Sequence, residues 1–149
     1  MIHLRRIAII VLCCLLTKSL YEWYHPKQPP IVEAVLANNI TEVNRLLAQK
    51  GAEEALYRDY EVVRPLLVLA AERGHYDMVV NLLDHRENIN VSDNYNITAL
   101  SMAVIEGHKE IVRLLLKRGA NPNTDHSLQI AIESKDALMV KLLKEYGAR

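Results

Sequence analysis

The chain has 149 residues, half of them apolar, and its 18 Lys and Arg balance its 18 Asp and Glu. This length suits one domain with a short additional segment, and the apolar fraction is large enough to fill a core. Proteins that bind nucleic acid usually carry a basic excess, so the neutral balance argues against a nucleic-acid partner. The chain has one Trp and no Phe, which predicts an aliphatic core.

The first nineteen residues have the pattern of a targeting segment. Arg5 and Arg6 precede an unbroken apolar run, IAIIVLCCLL, at residues 7–16. A basic start followed by about ten apolar residues is typical of a secretory signal. The run is short for a membrane span, which needs about twenty residues. Residues 1–19 are therefore predicted to be a signal peptide or a membrane anchor.

Three fates of this segment stay open. It is cleaved after Ser19, or it stays as an anchor that contacts the membrane through residues 1–24, or it is lipidated at Cys13 or Cys14. A fourth interpretation is a buried N-terminal helix of a cytoplasmic protein. Residues 20–29 are predicted to be a stiff, Pro-rich linker. We expect an extracytoplasmic protein, most simply periplasmic and bacterial, with the cytoplasm as the alternative location.

Two stretches of the remaining chain repeat one pattern. Residues 98–120 read TALSMAVIEGHKEIVRLLLKRGA, and residues 65–87, thirty-three positions earlier, read PLLVLAAERGHYDMVVNLLDHRE. Each contains two short apolar-periodic segments separated by Gly-His. A fixed period of this length predicts an all-α stack of helix-turn-helix units.

The pattern extends over residues 30–149, which we divide into units at about 30–52, 64–90, 97–123 and 126–149. Thr41 and Thr98 are expected to cap helices, and Pro65 to open one. Residues 52–63 predict either an extra helical turn or an enlarged finger between units one and two, where a finger is the loop that joins one unit to the next. The finger before unit four is clipped, and unit four is expected to present a polar capping surface.

Unit three resembles the ankyrin repeat, whose sequence pattern is TPLHxAAxxGHxxIVxxLLxxGA. The matching residues of unit three are Thr98, Leu100, Ala103, Gly107, His108, Ile111, Val112, Leu115, Leu116, Gly119 and Ala120. The resemblance covers about residues 30–149 and implies an ankyrin-repeat solenoid of about four units. Val68, Ser101 and Gln129 replace the His of the family's first helix, which should weaken its loop–helix hydrogen bonding.

Residues that carry chemistry are scarce. His75 and His108 hold equivalent positions in two units, but no carboxylate or cysteine set accompanies them, so we expect each to stabilise its turn rather than bind a metal. The sequence contains no GxSxG, phosphate-binding Gly loop or HExxH motif. We therefore expect no enzyme activity, no catalytic residue, no metal, no cofactor and no small-molecule substrate.

The resemblance instead implies a partner protein, bound by the finger tips and the exposed ends of the first helices. Tyr95, Ile97 and Ile105 are apolar where a solvated surface would be polar, as the centre of an interface requires. The predicted partner-binding residues are Glu61, Val62, Arg64, Glu72, Arg73, Asn94, Tyr95, Ile97, Ile105, Glu106, Glu133 and Ser134.

The predicted function is thus a non-catalytic protein-binding module, exported across or anchored to a membrane. One specific form is an inhibitor or immunity-type protein that covers its partner. The alternative is a membrane-anchored scaffold or assembly factor for an envelope complex. Cleavage separates the two, because a soluble mature form favours the inhibitor and a membrane-retained form favours the scaffold.

Overall fold

The computed structural model describes residues 29–50, 56–59, 62–123 and 125–149. The predictions for the N-terminal apolar segment and for most of the linker lie outside these residues. Within the described part of the chain, no helix is both long and apolar enough to cross a bilayer.

The described ranges contain four pairs of short helices and one hairpin. The pairs are α1 (Pro30–Leu36) with α2 (Ile40–Lys50), α3 (Leu66–Glu72) with α4 (Tyr76–Asp84), α5 (Ala99–Ile105) with α6 (Lys109–Lys117), and α7 (Ser127–Glu133) with α8 (Ala137–Glu145). The two strands, β1 (Leu56–Asp59) and β2 (Val62–Pro65), connect the first pair to the second. The predicted all-α stack is confirmed for these residues, apart from the hairpin.

The turn inside each pair uses the same backbone conformation four times. Asn38, Gly74, Gly107 and Lys135 have φ values of 53°, 71°, 75° and 56°. In the left-handed region a side chain costs energy that glycine avoids. This turn therefore explains why units two and three have glycine in their Gly-His pair. Asn and Lys adopt the same conformation in units one and four, which keeps the geometry at some cost.

The helices form two layers. The first helices of successive units pack side by side, α1 on α3, α3 on α5 and α5 on α7, while α2, α4 and α6 make the second layer. Leucines between the layers are fully buried, including Leu67, Leu82, Leu100 and Leu115. Each such side chain contributes about 1.5–3 kcal/mol through burial, so the aliphatic core dominates the stability of the stack.

Helix starts agree with the sequence in unit three and differ in units one and two. Thr98 Oγ1 accepts a hydrogen bond from Ser101 N at 3.2 Å, and Ser101 Oγ accepts one from Thr98 N at 3.0 Å, a capping box. Ser101 stands where the family has His, a change expected to weaken the hydrogen bonds between loop and helix. Its capping box with Thr98 supplies such bonds in unit three. The Thr41 prediction is wrong: Asn39 Oδ1 accepts from Glu42 N, so α2 begins earlier. Pro65 ends β2 and precedes α3.

The hairpin settles what connects units one and two. β1 and β2 are antiparallel, with Tyr57 opposite Arg64 and Asp59 opposite Val62. Strand pairing satisfies backbone groups that an isolated loop would expose. The enlarged finger is therefore the correct alternative, and the extra helical turn is not formed by these strand residues.

Side chains also join successive units through backbone groups. Asn90 Oδ1 accepts a hydrogen bond from Asn121 N at 2.9 Å, and Asn123 Oδ1 accepts one from Arg149 N at 3.0 Å. Arg118 of unit three forms an ion pair with Asp84 of unit two at 2.8 Å. These bonds help to fix the spacing between successive units of the stack.

Candidate functional site: a groove between the third finger and the inner helices

The finger before unit three is held rigidly by one buried carboxylate. Asp93 Oδ1 accepts hydrogen bonds from Tyr95 N and Ile97 N, both at 2.9 Å. Asp93 N also donates to Ile97 O at 3.0 Å, and Ser92 bridges to Thr98. A turn closed by its own Asp side chain is a preorganised loop. Tyr95 is consequently presented at the tip, with 62% of its surface exposed.

Two helices, α5 and α7, also contribute apolar residues to the groove. Ile105 is the last residue of α5 and is 47% exposed, although the rest of that helix is buried. Ile130 lies on α7 and is half-buried. Together with Tyr95 and Ile97 these two isoleucines line a depression of about 400 Å³.

The floor of the groove is polar but internally satisfied. Thr98 Oγ1 donates a hydrogen bond to Asp125 Oδ2, and Ser127 Oγ donates one to Asp125 Oδ1. Asp125 is the charged residue of the lining, and both its oxygens are engaged in these contacts. Asn96 and His126 complete the polar part of the surface. The groove therefore combines apolar side chains with a smaller set of hydrogen-bonding groups.

The predicted binding residues fall into three groups. Asn94, Tyr95, Ile97, Ile105 and Glu106 belong to the third finger and the end of α5, with Ile97 half-buried against the core. Arg64, Glu72 and Arg73 belong to unit two, and Glu133 and Ser134 to unit four. Val62 lies in β2, and Glu61 is outside the described residues.

Three of the predicted binding residues are already engaged within the protein. Arg64 and Glu72 form a half-buried ion pair, with Nη1 and Oε2 2.6 Å apart, so their charges largely cancel. Ser134 Oγ donates to Ile130 O at 2.8 Å and so is engaged with its own helix. Whether any of the predicted residues contacts a partner remains a prediction.

Sequence reasoning missed Asn96, Ser101, Asp125, His126 and Ile130 of the groove. Ser101 and Ile130 belong to helices and were not expected on a surface, and Asn96 lies between the predicted residues Tyr95 and Ile97. The clipped finger before unit four hid Asp125 and His126, because no repeat template aligns there. The signal that could have found them is Asp125 two residues before Ser127, an Asx-turn pattern that also precedes α5 at Asp93.

The two histidines join units rather than assemble a metal site. His75 Nε2 lies 3.1 Å from Leu36 O, and His108 Nε2 lies 3.2 Å from Glu72 O, in each case one unit back along the stack. Their role therefore extends beyond the turn in which each sits. Within the described ranges no three His, Cys, Asp or Glu side chains are grouped as metal ligands.

Unit four differs from the polar cap expected for it. Ile132 is 48% exposed and Leu138 is 67% exposed, and a second depression of about 420 Å³ is lined by residues that include Leu128, Ile132 and Arg149. Val104 and Ala71, at the position of Ile132 in units three and two, are buried by the unit that follows. Ile132 is exposed because no described unit covers it.

One buried carboxylate makes no hydrogen bond of ordinary geometry. Glu87 stands where units three and four have the small buried Ala120 and Ala148, and neither of its carboxylate oxygens has a well-placed donor. Burial raises the pKa of Glu87 to about 7, and the backbone N–H of Leu67, near the carboxylate but too poorly placed for a full hydrogen bond, offsets only part of that rise. Glu87 lies away from the groove and so affects stability rather than binding.

Comparison with known proteins finds ankyrin repeats along most of the chain. The profile described as ankyrin repeats (3 copies) matches residues 31–126 and 67–149. An ankyrin repeat-containing protein of Treponema pallidum (strain Nichols) is 32% identical over 123 residues, 78% of this chain and 40% of that protein. An ankyrin repeat protein of Fowlpox virus is 29% identical over 124 residues, 79% of this chain and 28% of its own length.

Similar repeats also occur within a much larger enzyme. A glycerophosphocholine phosphodiesterase of Schizosaccharomyces pombe is 35% identical over 95 residues, 63% of this chain but only 8% of that protein. This chain thus matches well under half of the length of each of these three relatives. The likeness concerns the repeats alone.

Proposed function

Because this chain belongs to the ankyrin repeat family, a family of binding modules that are generally not catalytic, we propose that it binds a partner protein through the groove beside the third finger. The observation that carries the proposal is the exposure of Tyr95 and Ile105, which line the same depression. Neither side chain is needed to fill the core. An exposed aromatic residue on a rigid loop, together with aliphatic residues in one depression, has the composition of an interface centre.

The test is affinity capture from the protein's own cells with identification of the co-purifying protein by mass. Tyr95→Ala combined with Ile105→Asp should abolish capture while the helical circular dichroism and the melting temperature stay unchanged. The matched control is Tyr76→Ala combined with Leu138→Asp, which changes a tyrosine and an aliphatic residue exposed on α4 and α8, neither of which lines the groove. Retention of the partner by the groove variant would remove the groove from the binding surface.

We further propose that the module works outside the cytoplasm and covers its partner as an inhibitor does. Arg5, Arg6 and the apolar run at residues 7–16 support export or anchoring. The alternative, a membrane-anchored scaffold for an envelope complex, keeps the same groove. N-terminal sequencing of the protein from its own cells distinguishes the two: a soluble chain beginning near Leu20 supports the inhibitor, and an intact membrane-bound chain supports the scaffold.

A further inference from the structure

The groove has the size and lining to hold one large side chain of a partner, rather than to contact a flat partner surface. Tyr95, Ile97, Ile105 and Ile130 supply four apolar sides, and the volume of about 400 Å³ lies near the lower end of the range for ligand-binding pockets, about 300–1,000 Å³. The lining contains no Lys or Arg, and its one carboxylate, Asp125, is already bonded to Thr98 and Ser127. The groove interior therefore selects for an apolar group.

Two carboxylates lie beside lining residues of the groove along the chain: Glu106 follows Ile105, and Glu133 is about one helical turn after Ile130 on α7. We call these two the rim carboxylates. Ile105 holds the position that is Glu72 in unit two and Glu133 in unit four, so glutamates flank it in the neighbouring units. The Glu72 carboxylate is neutralised by Arg64, but the Glu133 carboxylate receives only the amide of Gln129, at 2.8 Å. Glu106 follows Ile105 directly, is exposed and makes no ion pair with any residue of the described ranges.

Basic residues near the rim do not cancel these charges by contact. Arg73 holds the position of Glu106 one unit earlier, and Lys135 sits in the turn after α7. Both are exposed, and neither lines the groove or pairs with Glu106 or Glu133. Negative charge at an interface rim selects partners of opposite charge and rejects those of like charge.

We propose that the groove takes a large apolar side chain from a partner polypeptide and that a Lys or Arg adjacent to that side chain meets Glu106 and Glu133. This inference rests on the proposed function and names the chemistry of the segment that is bound. The apolar group supplies most of the affinity by desolvation, and the basic neighbour supplies selectivity. Because the carboxylates are exposed, their contribution should weaken as salt is raised.

Three short peptides test the inference on the full chain by nuclear magnetic resonance titration. The first places Trp between two Lys residues, the second places Trp between two Glu residues, and the third places Ser between two Lys residues. We expect the first peptide to shift the amide signals of Tyr95, Ile105 and Ile130 and to bind about tenfold more tightly than the others. Equal binding of the first two peptides, or no shift at these amides, overturns the inference.

Charge reversal adds a second readout. Glu106→Lys combined with Glu133→Lys should invert the order, so that the Glu-flanked Trp peptide binds more tightly than the Lys-flanked one. The matched control is Glu110→Lys combined with Glu145→Lys, which makes the same change of net charge on α6 and α8, neither of which lines the groove. An unchanged order in the groove variant, or an inverted order in the control, contradicts a role for the rim carboxylates.

The two proposals fail separately. If capture of the cellular partner depends on Tyr95 and Ile105 but the peptides show no preference for basic neighbours, the binding function stands and the inference falls. If capture does not depend on those residues, the proposed function itself falls.

Discussion

The imidazole of His108 lies directly against the backbone of Gly74, one unit earlier in the stack. A Cβ atom on Gly74 would meet Cε1 of that ring at 2.8 Å and Nε2 at 2.9 Å. The same Nε2 is 3.2 Å from the carbonyl oxygen of Glu72. Units two and three can therefore approach this closely only because residue 74 has no side chain.

Gly74→Ala is predicted to destabilise the protein by about 2–3 kcal/mol, because the added methyl group must displace the His108 ring as well as adopt a left-handed conformation. Gly107→Ala is the matched control. Its φ of 75° is close to the 71° of Gly74, but a Cβ there meets nothing within 4 Å, so only about 1 kcal/mol should be lost. Urea unfolding measures both. Equal losses would show that the His108 contact imposes no constraint.

Replacing either histidine should weaken the junction between units without affecting binding. His75→Ala and His108→Ala each leave a carbonyl oxygen, of Leu36 or Glu72, without its side-chain partner, which should cost about 1–2 kcal/mol. His85→Ala is the control, since that exposed ring bonds only to Asn81 O within its own unit. Thermal unfolding and partner capture are both measured. Loss of capture at unchanged stability would indicate a functional role for the histidines.

The buried carboxyl of Glu87 should make stability fall as the pH rises. Its folded pKa of about 7 exceeds the ordinary value of 4.5, so between these values the folded protein holds a proton that the unfolded chain releases. Stability is then greatest below about pH 4.5 for this group and declines until about pH 7, by about 3 kcal/mol in total.

Two variants isolate this effect. Glu87→Ala, which copies Ala120 of unit three, should remove that decline and stabilise the protein by about 2 kcal/mol at pH 8. Glu87→Gln should also flatten the profile, because its side chain does not titrate. Urea midpoints from pH 4.5 to pH 8 provide the measurement, and a decline that persists in both variants would assign it to another group.

Lys135→Gly is predicted to stabilise unit four by about 1 kcal/mol. Lys135 has a φ of 56°, a conformation that a side chain disfavours and that Gly74 and Gly107 adopt without strain in units two and three. Lys141→Gly, a change of the same residue type inside α8, should instead destabilise by about 1 kcal/mol. Melting temperatures of the two variants should move in opposite directions. A decrease for Lys135→Gly would mean that its side chain contributes more than the turn costs.

Most of the fold could be predicted from the period of the repeat, because burial of Leu67, Leu100 and their equivalents depends only on spacing. Which of several neighbouring residues caps a helix was harder to predict. Asn39 caps α2 although Thr41 has an equally suitable side chain, since the left-handed turn at Asn38 places Asn39, not Thr41, at the helix start. The strands at residues 56–59 and 62–65 form a local hairpin whose register alternation over four residues does not specify.

The groove could be predicted only in part. Tyr95 and Ile105 were recognisable, because large apolar residues stand where the repeat pattern tolerates any residue. Asp125 and Ile130 belong to the next unit, and their approach to Tyr95 depends on how units three and four stack. The ion pair of Arg64 with Glu72 likewise joins positions eight residues apart whose closeness follows from β2 ending where α3 begins.

The clipped finger before unit four has a further consequence for the path of a bound chain. Where a full finger would form a side wall, Asp125 and His126 border both the groove and the depression beside Leu128 and Ile132. The two hollows are therefore neighbours along the stack. A polypeptide held beside Tyr95 as proposed would next meet Leu128 and Ile132, so residues on one side of its anchor should also affect how tightly it is held.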